Sequence, residues 1–296
     1  MFQKVRISDK RIKYKNKFLD FLDENDDGKI DVNDIILKCV KLPGVKIDRE
    51  EFLRKELSKK ASKEQVDVAI IENPSNAHID KKFIDKTALK VIKKERIKVS
   101  SISAACSATG GVVAIASIPV DMIQYYGYLL RIVQKLVYLY GFPELDFEYD
   151  KDTLKEETLA VIIGCLGVMF GISKARKLIG KMAKTISKKA SQTIAKKIAT
   201  KPIILLPLIK SISQSFSKKI TLVAIKEVAK RAIPVIGFII GGIATYLTFN
   251  ACCKRLRMNL QTTVLSDKNV LDLDDDDDDD LEVEEVNEEN NLVLAK

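Results

Sequence analysis

Apolar residues recur every three to four positions through most of the chain, and the elements this spacing predicts are helices. Phe18, Leu19, Phe21 and Leu22 form one apolar face; Val32, Ile35, Ile36, Cys39 and Val40 form another on a short helix that follows. Asp48, with Glu50 and Glu51 after it, starts a helix with acids in its first turn. Glu72-Asn73-Pro74-Ser75-Asn76 interrupts the periodicity and reads as a linker, after which Ile79 to Lys98 resumes it with a basic face. A tyrosine-rich amphipathic helix is predicted over Met122 to Tyr140, stopped by Gly141 and Pro143. Ile172 to Ala199 is a long amphipathic helix with lysines between its apolar positions, and a second basic helix extends to about Arg231. Apart from a short bridge at Ile30, no strand is expected. The fold class is all-α.

Three runs carry no charge: Val99 to Val120, Thr158 to Ser173 and Ala232 to Cys253. The first and last are long enough to cross a bilayer, the middle one marginally so. Their content of Ala, Ser, Thr and Gly suits close helix packing as well as lipid. Orientation separates the two readings. With the basic stretches 79–98 and 172–231 on the inner side, Lys254, Arg255 and Arg257 would fall outside, against the positive-inside tendency. Buried helices of a Gly/Ala-rich bundle are the preferred reading, and an integral membrane protein accessory to a transporter is the alternative.

Charge sharpens this picture. The net charge of +9 conceals sixteen Lys/Arg against one acid between Ile172 and Arg231, and thirteen acids with no base between Asp272 and Glu289. The basic helices would lie against an anionic membrane surface or a membrane protein. The acidic tail, expected to be disordered, would fold back onto the chain's own basic helices. A nucleic-acid partner is disfavoured, because 172–199 has no aromatic residue for base stacking and no arginine-rich recognition pattern.

The one stretch with legible chemistry is Asp23 to Asp34, DENDDGKIDVND. Its oxygen-bearing residues have the spacing of an EF-hand calcium loop. Asp23, Asn25 and Asp27 would supply side-chain oxygens, Lys29 its backbone carbonyl, Asp31 a direct or water-mediated contact, and Asp34 the closing carboxylate. Gly28 stands where the loop turns sharply. Asp34 takes the place of the usual bidentate Glu; being one methylene shorter, it would weaken Ca2+ and make Mg2+ a competitor. Lys46 to Phe52 resembles at most the back half of a non-binding second loop.

Catalytic signatures are missing. There is no GxxxxGK[ST], no GxSxG and no cysteine–histidine pattern, so no catalytic residue is assigned. An enzyme with a carboxylate-based site is a further alternative. His78, the single histidine, is expected at the surface. Five cysteines without CxxC spacing argue against a disulfide scaffold or a structural zinc site; adjacent Cys252 and Cys253 are expected to be buried thiols. The opening MFQKVRISDK has no apolar run, so no secretory signal is expected and the predicted location is cytoplasmic, at the membrane periphery.

From about Pro74 to Leu260 the chain resembles the bacterial EcsC family. The residues that carry this are Gly110-Gly111, Ile118-Pro119-Val120-Asp121-Met122, the pattern Gln124-Tyr125-Tyr126…Arg131…Gln134-Lys135 through Tyr140-Gly141, and Ile233-Pro234-Val235-Ile236-Gly237. The resemblance implies an α-helical, membrane-associated domain and assigns no catalytic residue. Within it Asp121 and Arg131 are the polar residues singled out, as a pair that would bury a salt bridge or satisfy a helix end. The predicted organisation is an EF-hand region at 1–60, an EcsC-like helical domain at 74–260 and an acidic tail at 261–296. The predicted function is that of a cation-binding, membrane-associated, non-enzymatic module, regulatory or accessory to a membrane protein.

Overall fold

The structure, a computed structural model, describes residues 32–108, 118–150, 153–187, 214 and 234–267. Among these are eight helices: α1 (Val32–Val40), α2 (Arg49–Leu57), α3 (Lys63–Ile71), α4 (Lys81–Ala108), α5 (Ile118–Leu139), α6 (Glu156–Met169), α7 (Ser173–Ser187) and α8 (Pro234–Leu260). A two-residue antiparallel ladder, β1 (Tyr149–Asp150) with β2 (Thr153–Leu154), sits between α5 and α6. Among the described residues the all-α expectation holds apart from this small hairpin. The expected bridge at Ile30, most of the predicted cation loop, residues 188–213 and 215–233 of the basic stretch, and the acidic tail beyond Asp267 lie outside the described residues.

Helix α5 is the axis of the bundle. Ile123, Tyr126, Leu129, Leu130, Ile132, Val133, Leu136 and Val137 are all buried, so apolar residues occupy nearly its whole circumference. A helix with that pattern must be covered on all sides, and α1, α2, α4, α6 and α8 all pack against it. It ends at Gly141, whose φ of +94° is a left-handed conformation that costs glycine little. Phe142 N donates to Val137 O at 2.9 Å and Gly141 N to Tyr138 O at 3.3 Å, the paired bonds of a Schellman stop. A Cβ on Gly141 would lie 2.8 Å from Leu265 O, so the segment after α8 can cross this helix end only because the residue is glycine.

The other helices follow from their apolar stripes. Val32, Ile35, Ile36, Cys39 and Val40 of α1 are buried, as predicted. Asp48 caps α2 by accepting from Glu51 N at 2.6 Å. Ser62 and Gln65 form a reciprocal capping box on α3. Segment 72–76, expected as a linker, forms a tight turn: Asn73 Oδ1 accepts from Asn76 N at 2.8 Å, Ala77 and Ile79 just after it are buried, and one apolar core continues on both sides of it. His78 is exposed, as expected.

The uncharged runs resolve differently from one another. Thr158 to Ser173 becomes α6, in which Thr158 and every residue from Ala160 to Met169 are buried in protein. Gly164 lets α7 approach, since a Cβ there would come within 2.9 Å of Ile179 Cδ1. Val99 to Val120 is divided between the end of α4 and the start of α5, and the residues between them are not described. Ala232 to Cys253 falls largely within α8, which buries Phe249, Cys252, Cys253, Leu256 and Leu260 and packs most extensively on α4. Among the described residues, no helix is long and apolar enough to cross a membrane.

Candidate functional site

Of the predicted cation ligands, Asp23, Asn25, Asp27, Lys29 and Asp31 lie outside the described residues. Asp34 is described. It occupies the first turn of α1 and is 1% exposed, which brings a carboxylate to the N-terminal end of a buried helix. Among the described residues, no three His, Cys, Asp or Glu side chains converge as a metal site.

Polar side chains converge instead where α4 meets α5. The buried stripe of α4 runs Ile84, Ala88, Val91, Ile92, Glu95 and Val99, which places a carboxylate in an apolar row. Glu95 is 2% exposed and receives two cations from one face of α5. Arg131 donates from Nε to Oε2 at 3.1 Å and from Nη2 to Oε1 at 3.4 Å; Lys135 Nζ lies 2.5 Å from Oε1. Arg131 and Lys135 are four residues apart, one helical turn, so both reach the same carboxylate. Burial pushes the Glu95 carboxyl upward, but the hydrogen bonds and charges of Arg131 and Lys135 outweigh it and hold the group below the usual carboxylate range. Burial pulls the Lys135 ammonium down, and Glu95 restores only part of that loss.

The expected Asp121–Arg131 pair is therefore corrected. Ten residues separate the two on α5, about 15 Å along the axis, and the carboxylate that Arg131 engages is Glu95 of a different helix. Glu95 is the one acid among the lysines of 86–98, so the charge pattern alone places it on the basic face. Its spacing four residues after Val91 and four before Val99 was the available signal.

Two other buried polar residues fix the surroundings. Gln134, fully buried, accepts from Ile47 N at 2.8 Å and donates to Val45 O and Leu130 O, both at 2.9 Å, pinning the turn after α1 to α5. Arg49 is 6% exposed and donates to Ile70 O, Ala69 O and Glu72 O at the end of α3 and to Phe142 O past the end of α5. One guanidinium thus satisfies carbonyls that two helix ends leave open.

The outer face of α4 contrasts with its inner one. Lys82, Lys86, Lys90, Lys93, Lys94 and Lys98 are exposed, and Leu89 and Ile97 among them are 51% and 49% exposed. Lys94 approaches Glu56 at 3.9 Å; the other five have no ion pair among the described residues. Arg96 lies over the Tyr246 ring, 4.1 Å from its centroid, and donates to Asn250 Oδ1 at 2.5 Å, joining α4 to α8. Tyr246 and Asn250 share a helical stripe with Ile243 and Leu247, which are 54% and 59% exposed. On α7 the exposed Arg176, Lys177 and Lys181 add cations with no acid on that helix.

Cys39, Cys165, Cys252 and Cys253 are free and buried. Burial pushes the Cys39, Cys165 and Cys253 thiols far above their ordinary value, so none of these is a ready nucleophile. Comparison of the chain with protein-family models, with curated proteins and with solved structures finds no match.

Proposed function

We propose that the protein is a non-enzymatic, cation-binding module that docks on anionic membrane surfaces. The observation that carries this is the outer face of α4, where exposed lysines alternate with exposed Leu89 and Ile97. Lysines near an anionic surface each contribute about 1 kcal/mol, and apolar side chains between them can enter the headgroup boundary. The apolar stripe of Ile243 and Leu247 adjoins that face through Tyr246 and Arg96. The EcsC-like character of about residues 74–260 belongs to the same proposal, as does a peripheral cytoplasmic location. The loop Asp23 to Asp34 would take Ca2+, or Mg2+ given the short Asp34, and Asp34 in the first turn of α1 would couple the ion to the bundle. The acidic tail would compete with anionic lipid for the basic surface.

Flotation with vesicles containing anionic lipid, in calcium and in chelator, tests this directly. The triple variant Lys86→Gln/Lys90→Gln/Lys93→Gln is expected to lose about 100-fold in vesicle affinity. Removal of residues 272–296 is expected to strengthen binding. A calcium-dependent difference that Asp23→Ala/Asp27→Ala abolishes would identify the loop as the switch. Vesicle binding that the triple variant leaves unchanged would overturn the assignment of this face.

A further inference from the structure

We infer that a cleft between α5 and the turn after α1 binds a free amphipathic monocarboxylate. Leu42, Pro43 and Val45 form one wall, Ile123 and Tyr128 the other with the polar Gln124 beside them, and Arg131 closes one end; the cleft has a volume of about 290 Å³. Gly127 lies between Ile123 and Arg131, and a Cβ there would come within 3.3 Å of Val45 Cγ2 and 3.4 Å of Leu42 Cδ1. The eight-residue step from Ile123 to Arg131 is about 12 Å along the helix. The site therefore grades from apolar to cationic over the length of a short acyl chain, and its volume lies at the small end of ligand pockets.

The charge balance at the closed end selects the headgroup. Glu95 carries one negative charge against the two positive charges of Arg131 and Lys135, leaving a surplus of one. Glu95 occupies the Nε and Nη2 edge of Arg131, whereas Nη1 has no acceptor among the described residues. That nitrogen is 3.4 Å from where a Cβ on Gly44 would lie, so the Gly44 turn, with φ of +73°, rests beside it. The guanidinium also lies 5.8 Å from the Tyr128 ring centroid, and the Arg131 side chain is 20% exposed. One surplus charge and one open donor suit a monoanion; a carboxylate satisfies both while its chain covers Ile123, Val45 and Leu42. This site stands apart from the outer face of α4 and does not depend on vesicle binding.

Titration of the full chain by calorimetry, without vesicles, tests the assignment with hexanoate, octanoate and decanoate as probes. Saturable one-to-one binding is expected, tightening about fourfold for each added methylene that enters the cleft. Octan-1-ol is expected to bind at least about tenfold more weakly than octanoate, since it forfeits the charge-assisted bond. Leu42→Trp, which fills the cleft from a half-buried position on its wall, is expected to weaken octanoate binding more than about tenfold. Arg131→Gln should do the same; because it also strips Glu95 of a partner, Leu42→Trp is the decisive variant. Equal affinity for octanol and octanoate, no dependence on chain length, undiminished binding to Leu42→Trp, or binding only when vesicles are present would each overturn the inference.

Discussion

The two faces of α4 use the same residue types for opposite ends. On the inner face Glu95 is buried among Val91, Ile92 and Val99 and is held by Arg131 and Lys135. On the outer face Lys82, Lys86, Lys90, Lys93 and Lys98 have no ion pair among the described residues. Buried charges must be matched because desolvation is costly; exposed ones keep their hydration and their long-range field. The inner face therefore fixes where α5 lies, and the outer face remains available to a partner. Charge count along the helix cannot distinguish these roles, but burial does.

The contrast can be broken most forcefully at Glu95. Glu95→Ala leaves Arg131 and Lys135 side by side without their carboxylate and is expected to cost about 3–5 kcal/mol, read by urea unfolding. Replacing all three, as Glu95→Leu/Arg131→Met/Lys135→Met, is expected to be neutral or to stabilise by about 1–4 kcal/mol, since no buried charge is then left unmatched. If the triple variant proves less stable than Glu95→Ala, the cluster does more than balance charge.

Acid unfolding sharpens the comparison further. Glu95 titrates below its ordinary value of 4.5, so the folded state holds fewer protons than the unfolded chain there. Its contribution is complete above that ordinary value and disappears as the pH falls through the lower, folded one. The triple variant is expected to lose less stability than the natural chain across this acid window, measured by urea unfolding at successive pH values. Lys135 shifts downward as well, but its effect belongs to the alkaline end and leaves the acid limb unchanged.

The smallest effect is expected on the outer face. Each of Lys86→Gln, Lys90→Gln and Lys93→Gln should change folding stability by no more than about 0.5 kcal/mol, even though together they reduce vesicle affinity. A loss of several kcal/mol at any one of them would mean that the lysine is built into the fold.

Much of the architecture was legible because helices announce themselves locally. The apolar stripe of α1, the Asp48 cap and the Gly141 stop depend on neighbours within a turn or two, and each stands where the sequence places it. The proposed Asp23 to Asp34 cation loop would be local in the same way, its candidate ligands following one another along twelve residues, of which all but the last three lie outside the described residues. The Glu95 cluster is not. Its partners are thirty-six and forty residues away on another helix, and only the packing of α4 on α5 brings them together.

The sequence by itself determined that the described residues are almost wholly helical, where α1 and α2 begin and α5 ends, and that the charge of the chain is divided into strongly basic and acidic stretches. These follow from short-range periodicity, capping and composition. Tertiary structure alone decided which carboxylate Arg131 engages, that Arg49 closes two helix ends, that Gly164 of α6 receives Ile179 of α7, and that a cleft opens beside Gly127. Each of these depends on surfaces distant in sequence, whose pairing is set by how helices fill space rather than by any local preference.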